Sequence, residues 1–118
     1  MMTTVTDENF MQEVLSSSAP VIVHFQAPWC GLCRLITPVL NSFQLECPGS
    51  IRVLDVNADE NLKLANHYRL KTLPTLLYME QGKVMHRIEG FRSREVLRQK
   101  LDDIAHRHQL ENTLSKSA

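Results

Sequence analysis

Two cysteines placed three positions apart are the residues of this sequence best suited to chemistry. Cys30 and Cys33 form a C-x-x-C pair, whereas Cys47 stands alone, with Pro48 and Gly49 after it. A C-x-x-C pair can exchange disulfides with another molecule, or it can supply half of a tetrahedral metal site. Three cysteines cannot all pair within one short chain, so their number argues against a scaffold of structural disulfides.

The context of the pair favours disulfide exchange over metal binding. A closed zinc site needs four ligands, and the sequence contains neither a second C-x-x-C pair nor an H-x-x-x-H run. His67 and Cys47 could complete a metal site only if the fold happened to bring them beside the pair. We therefore interpret Cys30 and Cys33 as a redox dithiol, in which one thiolate attacks a disulfide and the second cysteine resolves the mixed disulfide.

The elements around the pair predict how it is positioned. Residues 21–25 are β-branched and almost wholly apolar, which indicates a strand buried on both faces. Apolar residues then recur at helical spacing over residues 35–43, with Pro38 inside the predicted helix. Cys30 falls at the N-terminus of this helix, where free N–H groups and the helix dipole favour a thiolate. Cys33 lies one turn later, and we expect it to be the more buried thiol.

The rest of the chain continues to alternate between helix and strand. Thr6 can cap a first helix over residues 10–15, and a short helix is predicted after Asp59. Further strands are predicted over residues 51–56, 75–79 and 84–88, the last two joined through Gln81-Gly82 as a hairpin. The pattern predicts a closing amphipathic helix over residues 97–108 and a polar C-terminal tail over residues 111–118.

This order of elements predicts a single α/β domain over residues 1–110, with a mixed sheet flanked by helices. The first strands would be parallel and linked by right-handed crossovers, and the hairpin would form an antiparallel edge. Functional sites of such sheets usually lie beyond the carboxyl ends of central strands. The C-x-x-C pair follows the strand at residues 21–25 and therefore falls at such a position.

Charge and hydropathy exclude several classes of partner. Thirteen basic residues balance thirteen acidic residues, so the net charge gives no reason to expect a nucleic acid or a membrane surface as partner. No segment approaches the roughly 20 apolar residues that a membrane helix needs. We expect a soluble, unsecreted protein of the cytoplasm.

The segment around the cysteines resembles the active-site stretch of the thioredoxin family. Residues 25–34 read FQAPWCGLCR, and residues 72–75, TLPT, resemble the segment that carries the family's cis-proline at its usual interval after Cys33. The resemblance spans residues 10–105. Further family landmarks are matched at Pro38, Gly82 and Gly90.

The resemblance implies a thioredoxin fold and a thiol–disulfide oxidoreductase that carries electrons without a cofactor or a metal. Cys30 would be the nucleophile and Cys33 the resolving cysteine. Proteins with disulfides would be the substrates, a thioredoxin reductase or an equivalent donor would supply electrons, and the chain would act as a monomer. Pro74 would be cis, Trp29 would cover the dithiol, and the Leu73 backbone would pair with an extended peptide. The substrate-binding residues that it implies are Trp29, Gly31, Leu32, Leu73, Pro74, Thr75 and Gly90.

Four positions depart from the family pattern. Leu32 replaces the proline between the cysteines, and Gln26 stands where an aromatic residue is common. His24 occupies the place of the family's buried aspartate, and Asp55 occupies that of its buried lysine. His24 could instead be a core histidine satisfied by a local hydrogen bond, and Asp55 a strand-end carboxylate. A base is still needed for Cys33, so we expect His24 and Asp55 to form a charge-reversed catalytic pair, linked directly or through water.

Two other functions remain open on this pattern. The altered surroundings of the dithiol could leave a redox-weak module that binds partners in the groove beside Pro74. Loss of the proline between the cysteines could instead relax the loop and allow a metal or iron–sulfur site shared between two chains. We interpret Cys47 as a bystander thiol that its Pro48-Gly49 loop could expose to glutathione.

Overall fold

A mixed five-stranded sheet forms the centre of the chain in a computed structural model that describes residues 2–47 and 50–117. The strands are β1 (Thr3–Thr4), β2 (Val21–Gln26), β3 (Arg52–Asn57), β4 (Thr75–Glu80) and β5 (Lys83–Ile88). Their order in the sheet is β1-β3-β2-β4-β5. β3 is parallel to both β1 and β2, whereas β4 is antiparallel to β2 and β5. The mixed sheet with its antiparallel hairpin edge is confirmed; β1 was missed because two exposed residues carry no periodicity.

Three α-helices and one short π-helix surround the sheet among the described residues. They are the π-helix Met11–Leu15, α1 (Gly31–Glu46), α2 (Leu62–His67) and α3 (Arg94–Ser117). The predicted cap at Thr6 is wrong, because the π-helix starts several residues later and its N-cap residue, Phe10, makes no side-chain cap hydrogen bond. The Thr6 hydroxyl instead donates to Asn9 Oδ1 at 3.3 Å within the preceding turn.

The last helix is longer than its apolar pattern predicts. α3 continues to Ser117 through most of the segment that we expected to be a polar tail. Residues 109–117 contain no glycine or proline, so nothing in them stops a helix. Residues 109–114 are all exposed, and an exposed helix leaves no apolar stripe from which its extent can be predicted.

Two apolar cores form, one on each face of the sheet. Ile22 of β2 packs with Ile36 of α1 and Leu97 of α3 on the first face. The second face packs β2, β3 and β4 against the π-helix and α2. Successive side chains of a strand point to opposite faces, so β2 contributes to both cores, and its residues 21–25 are all buried as predicted.

The topology places the start of α1 at one end of a central strand. β2 lies in the middle of the sheet, and the chain enters α1 a few residues after β2 ends. The predicted position of the cysteine pair, beyond the carboxyl end of a central strand, is confirmed. Within the described part of the chain, no helix combines the length and the apolar character that crossing a membrane would require.

Candidate active site

Cys30 is the N-cap residue of α1. Its backbone is extended, with φ −87° and ψ 106°, and its Sγ accepts a hydrogen bond at 3.2 Å from the backbone N–H of Cys33. This is the arrangement by which N-cap side chains satisfy a free N–H group in the first turn of a helix. In the reduced protein, the same N–H and the positive end of the helix dipole would favour the thiolate form of Cys30.

A disulfide joins Cys30 to Cys33, with 5.2 Å between the two Cα atoms. That separation lies within the usual range for disulfides, so the backbone can hold the oxidised pair. Cys30 is 6% exposed and Cys33 is 2% exposed. The expectation that Cys33 is the more buried thiol is confirmed, and an incoming disulfide would reach Cys30 first.

The loop before the dithiol is held by a polar contact that the sequence did not predict. Trp29 is 67% exposed, and its indole Nε1–H donates to Asp59 Oδ2 at 2.7 Å. Asp59 is positioned by a turn in which its backbone N–H donates to Asn57 Oδ1 at 2.9 Å. An Asn-x-Asp turn directly after a strand was the one available signal for Asp59, because such side chains form Asx turns.

The Pro74 segment lies at the same end of the strands as the dithiol. Phe25, near the end of β2, is paired in register with Thr75, the first residue of the antiparallel strand β4. The peptide bond between Leu73 and Pro74 is cis. Thr75 is fully buried, and its hydroxyl donates to the Thr72 carbonyl at 2.8 Å. Leu73 is half-buried against the core on the α2 face.

The remaining candidate binding residues lie around this end of the sheet. Gly31 is the exposed first residue of α1, and Leu32 is half-buried against the core on the α1 face. Gly90 is exposed, has a φ of +74° and follows β5. The end of β5 adjoins the start of β4, since Ile88 is paired with Leu76. The fold therefore brings the predicted binding segments to one end of the sheet.

His24 and Asp55 lie side by side on the α1 face of the sheet. They are register partners in the parallel pair β2 and β3, and His24 Nδ1 is 3.1 Å from Asp55 Oδ1. His24 is fully buried, and the Asp55 side chain is 18% exposed. The two groups are close without forming an aligned hydrogen bond, because neither ring nitrogen of His24 has a hydrogen-bond partner among the described residues. Gln26 Nε2 donates to the other carboxylate oxygen, Asp55 Oδ2, at 3.0 Å.

Asp55 and Cys33 line one groove that opens to solvent. The groove has a volume of about 280 Å³. Its lining residues are Met2, Gln26, Cys33, Arg34, Thr37, Asn41 and Asp55. Most of these side chains are polar, so the groove can hold water between the buried thiol and the carboxylate.

The third thiol does not join the dithiol. Cys47 is the C-cap residue of α1, at the opposite end of the helix from Cys30, and its predicted Pro48-Gly49 loop lies outside the described residues. Burial raises the pKa of the half-buried Cys47 thiol, and Glu46 raises it further. Over residues 2–47 and 50–117, no group of three or more histidine, cysteine or acidic side chains is placed to hold a metal ion.

An α/β sheet with a C-x-x-C dithiol at the N-terminus of the helix after a central strand defines a thiol–disulfide oxidoreductase. The thioredoxin family model matches residues 1–103 of the chain. The chain is 41% identical to thioredoxin 1 of Nostoc sp. over 98 residues, which cover 83% of this chain and 92% of that protein. It is 40% identical over 86 residues to thioredoxin of Porphyra purpurea, covering 73% and 80% of the two chains.

The chain belongs to the thioredoxin family. A relative from Rickettsia felis, also a thioredoxin, is 39% identical over 82 residues, or 70% of this chain and 78% of that protein. The family, the fold and the thiol–disulfide oxidoreductase activity expected from the sequence are confirmed.

Proposed function

We propose that the chain reduces disulfides of protein substrates, with Cys30 as the nucleophile and Cys33 as the resolving cysteine. The observation that carries this assignment is the position of Cys30 as N-cap of α1, with its sulfur facing the Cys33 N–H. A thiolate is the attacking species in disulfide exchange, and this position favours it at Cys30. The lower exposure of Cys33 suits a thiol that reacts only within the chain.

The first step is attack by the Cys30 thiolate on one sulfur of the substrate disulfide. The sulfur–sulfur bond of the substrate breaks, and a bond forms between Cys30 and the attacked sulfur. The other substrate sulfur leaves with the electron pair and takes a proton from solvent. Attack by Cys33 then releases the second substrate thiol and leaves the Cys30–Cys33 disulfide. The thiols of Cys30 and Cys33 are both oxidised for each substrate disulfide that is reduced.

Substrate binding is assigned to the segments that meet at the end of the sheet. An extended peptide would lie beside Pro74, pair with the backbone of Leu73 and contact Thr75, because strand addition is a common mode of peptide recognition. The contact between Trp29 and Asp59 supports a binding role for Trp29, since it holds an exposed indole beside the dithiol loop. The other proposed binding residues are Gly31, Leu32 and Gly90.

The partners follow from the redox cycle. Each turnover leaves the Cys30–Cys33 disulfide, so an electron donor such as a thioredoxin reductase must restore the dithiol. The chain would then serve as an electron carrier between that reductase and disulfide-containing proteins. We assign the chain to the cytoplasm, because a reducing compartment keeps such dithiols available. We also propose that it acts as a monomer, as the family resemblance implies.

His24 and Asp55 are proposed to supply the base for Cys33. Their 3.1 Å contact and the presence of Asp55 in the groove beside Cys33 support this role. His24→Ala should slow the resolution of a mixed disulfide on Cys30 and change its pH profile, because His24 belongs to the pair that supplies the base and general-base catalysis typically contributes about 100- to 10,000-fold. Rapid-mixing kinetics at the parent rate over roughly pH 6 to 9 would leave His24 as a packing residue.

Reduction of insulin tests the overall function. With dithiothreitol as electron source, the protein should accelerate insulin precipitation well above the rate with dithiothreitol alone. A redox-weak binding module would capture disulfide-containing proteins without accelerating the reaction. A measured Cys30–Cys33 reduction potential then separates a reductant from an oxidant, because the potential sets the direction of exchange.

A further inference from the structure

The carboxylate of Asp55 is contacted at both oxygens by side chains of β2. Gln26 Nε2 donates to Oδ2 at 3.0 Å, and His24 Nδ1 lies 3.1 Å from Oδ1. Gln26 and His24 are two positions apart on one strand, so both side chains point to the same face, which is the face covered by α1. Contacts at both oxygens limit rotation of the carboxylate.

The two contacts are not equivalent. The hydrogen bond from Gln26 is aligned, whereas neither nitrogen of His24 makes an aligned bond among the described residues. Gln26 and Asp55 line the groove that contains Cys33, and His24 does not. Of the two side chains proposed as the base, the Asp55 carboxylate is therefore the one that shares a groove with Cys33.

Few charged or titratable groups share this environment. β2 contributes His24, and α1 contributes Cys33 together with Arg34, whose guanidinium donates to the Pro28 carbonyl. On the side of β1, the register partner of Asp55 is Thr4, which carries no charge. Asp55 is thus the one carboxylate among the residues that line the groove.

We propose that Gln26 is a positioning residue for the second step of disulfide exchange. It holds the Asp55 carboxylate against the groove, where the carboxylate accepts the proton of Cys33 directly or through a water molecule. This inference rests on the proposed function, because it assumes that Cys33 resolves a mixed disulfide on Cys30. It adds a role for the side chain that replaces the family's usual aromatic residue.

The proposed step balances in protons and electrons. The Cys33 thiol gives its proton to Asp55, and the thiolate attacks the Cys30 sulfur of the mixed disulfide. The bond between Cys30 and the substrate sulfur breaks, and the Cys30–Cys33 bond forms. The substrate sulfur leaves with the electron pair and is protonated by solvent, so it is reduced while Cys33 is oxidised. Asp55 then returns its proton to solvent through the groove.

Gln26→Met tests the role of the amide donor. Methionine has a similar length and no N–H, so the variant removes the hydrogen bond to Asp55 while keeping much of the packing. We expect the second step to slow on the order of tenfold, which is part of what a general base supplies. The deficit should shrink as pH rises, because a growing thiolate fraction of Cys33 makes a base unnecessary.

The two steps can be followed separately in one reaction. Reduced protein in a Cys47→Ser background is mixed rapidly with one equivalent of the aromatic disulfide of thionitrobenzoate. The first release of thionitrobenzoate reports attack by Cys30, and the second reports resolution by Cys33. Gln26→Met should leave the first release unchanged and slow the second.

Gln44→Met is a matched control on α1. Gln44 is also half-buried, and it lines a different groove, with Thr3 and Leu54. The same exchange of an amide for a thioether at Gln44 should leave both releases at the parent rate. In an Asp55→Asn background, Gln26→Met should cause no further slowing, because the donor acts only through the carboxylate.

Two results would overturn the proposal. One is resolution by Gln26→Met at the parent rate and with the parent pH profile. The other is an equal loss from Gln26→Met with and without the Asp55 carboxylate. Should Gln26→Met fail to fold by circular dichroism, Gln26→Asn carries the same test, since its shorter amide cannot reach Asp55. Absence of any second release in the parent protein would instead refute the proposed function itself.

Discussion

The two ends of α1 carry the same chemical group in opposite environments. Cys30 is the N-cap residue, and its sulfur accepts the Cys33 N–H at 3.2 Å. Cys47 is the C-cap residue, and burial raises the pKa of its thiol, with Glu46 adding to the rise and Arg98 opposing it. Free N–H groups and positive dipole charge occur at the first end, and carbonyl groups and negative dipole charge at the second. The N-cap position thus favours a thiolate at Cys30, whereas burial and Glu46 disfavour one at Cys47.

The largest expected effect comes from the N-terminal end of α1. Cys30→Ser should lower insulin reduction to the rate of dithiothreitol alone, because the hydroxyl cannot replace the attacking thiolate. The matched change at the other end, Cys47→Ser, should leave the rate unchanged. Loss of activity in Cys47→Ser would show that disulfide reduction depends on Cys47 and contradict the assignment of Cys30 as the attacking thiol.

The second prediction separates the two cysteines of the pair. Cys33→Ser should retain the attack by Cys30 but lose resolution, so mixed disulfides with partners should accumulate. Pull-down followed by release with dithiothreitol measures them, with Cys30→Ser/Cys33→Ser as the control. Equal capture by the single and the double variant would contradict the role of Cys30 as nucleophile.

A smaller effect, on the reduction potential, is expected from a substitution of Leu32, which lies between the two cysteines. Leu32→Pro should make the dithiol more reducing, because proline restricts the first turn of α1 and the thioredoxin family usually carries proline there. A shift of about 30 mV corresponds to roughly 1.4 kcal/mol for this two-electron couple, and the change should be of that order. Equilibration with glutathione measures the potential, and an unchanged value would dispose of the prediction.

The smallest expected effect is at the C-terminal end. Glu46→Gln removes a negative charge that raises the pKa of Cys47, so that pKa should fall and the thiolate fraction near neutral pH should rise. Alkylation of Cys47 by iodoacetamide, measured in a Cys30→Ser/Cys33→Ser background, should accelerate by about threefold or less. Slower alkylation would mean that losing the contact between Arg98 and Glu46 raises the pKa of Cys47 by more than removing the Glu46 charge lowers it.

Local patterns in the sequence determined the reaction class and the frame that supports it. The β-branched residues of β2, the apolar stripe of α1 and the C-x-x-C spacing are each properties of a few consecutive residues. They predicted the strand, the helix and the place of Cys30 at its N-terminus, because hydrophobic periodicity and helix-end chemistry act over such short stretches. The family resemblance added Pro74 as a landmark and His24 and Asp55 as departures.

Only the tertiary structure showed that Gln26 and Trp29 each contact a distant acidic side chain near the dithiol. Gln26 contacts Asp55, 29 positions away, and Trp29 contacts Asp59, 30 positions away. Such contacts depend on the register between β2 and β3 and on the turn after β3. The register has no local signal in the sequence, and the turn has only the Asn-x-Asp spacing, which does not indicate a contact with Trp29. A shift of one residue in that register would turn Asp55 to the opposite face, away from the groove and Cys33, so only the folded sheet determines the surroundings of the resolving cysteine.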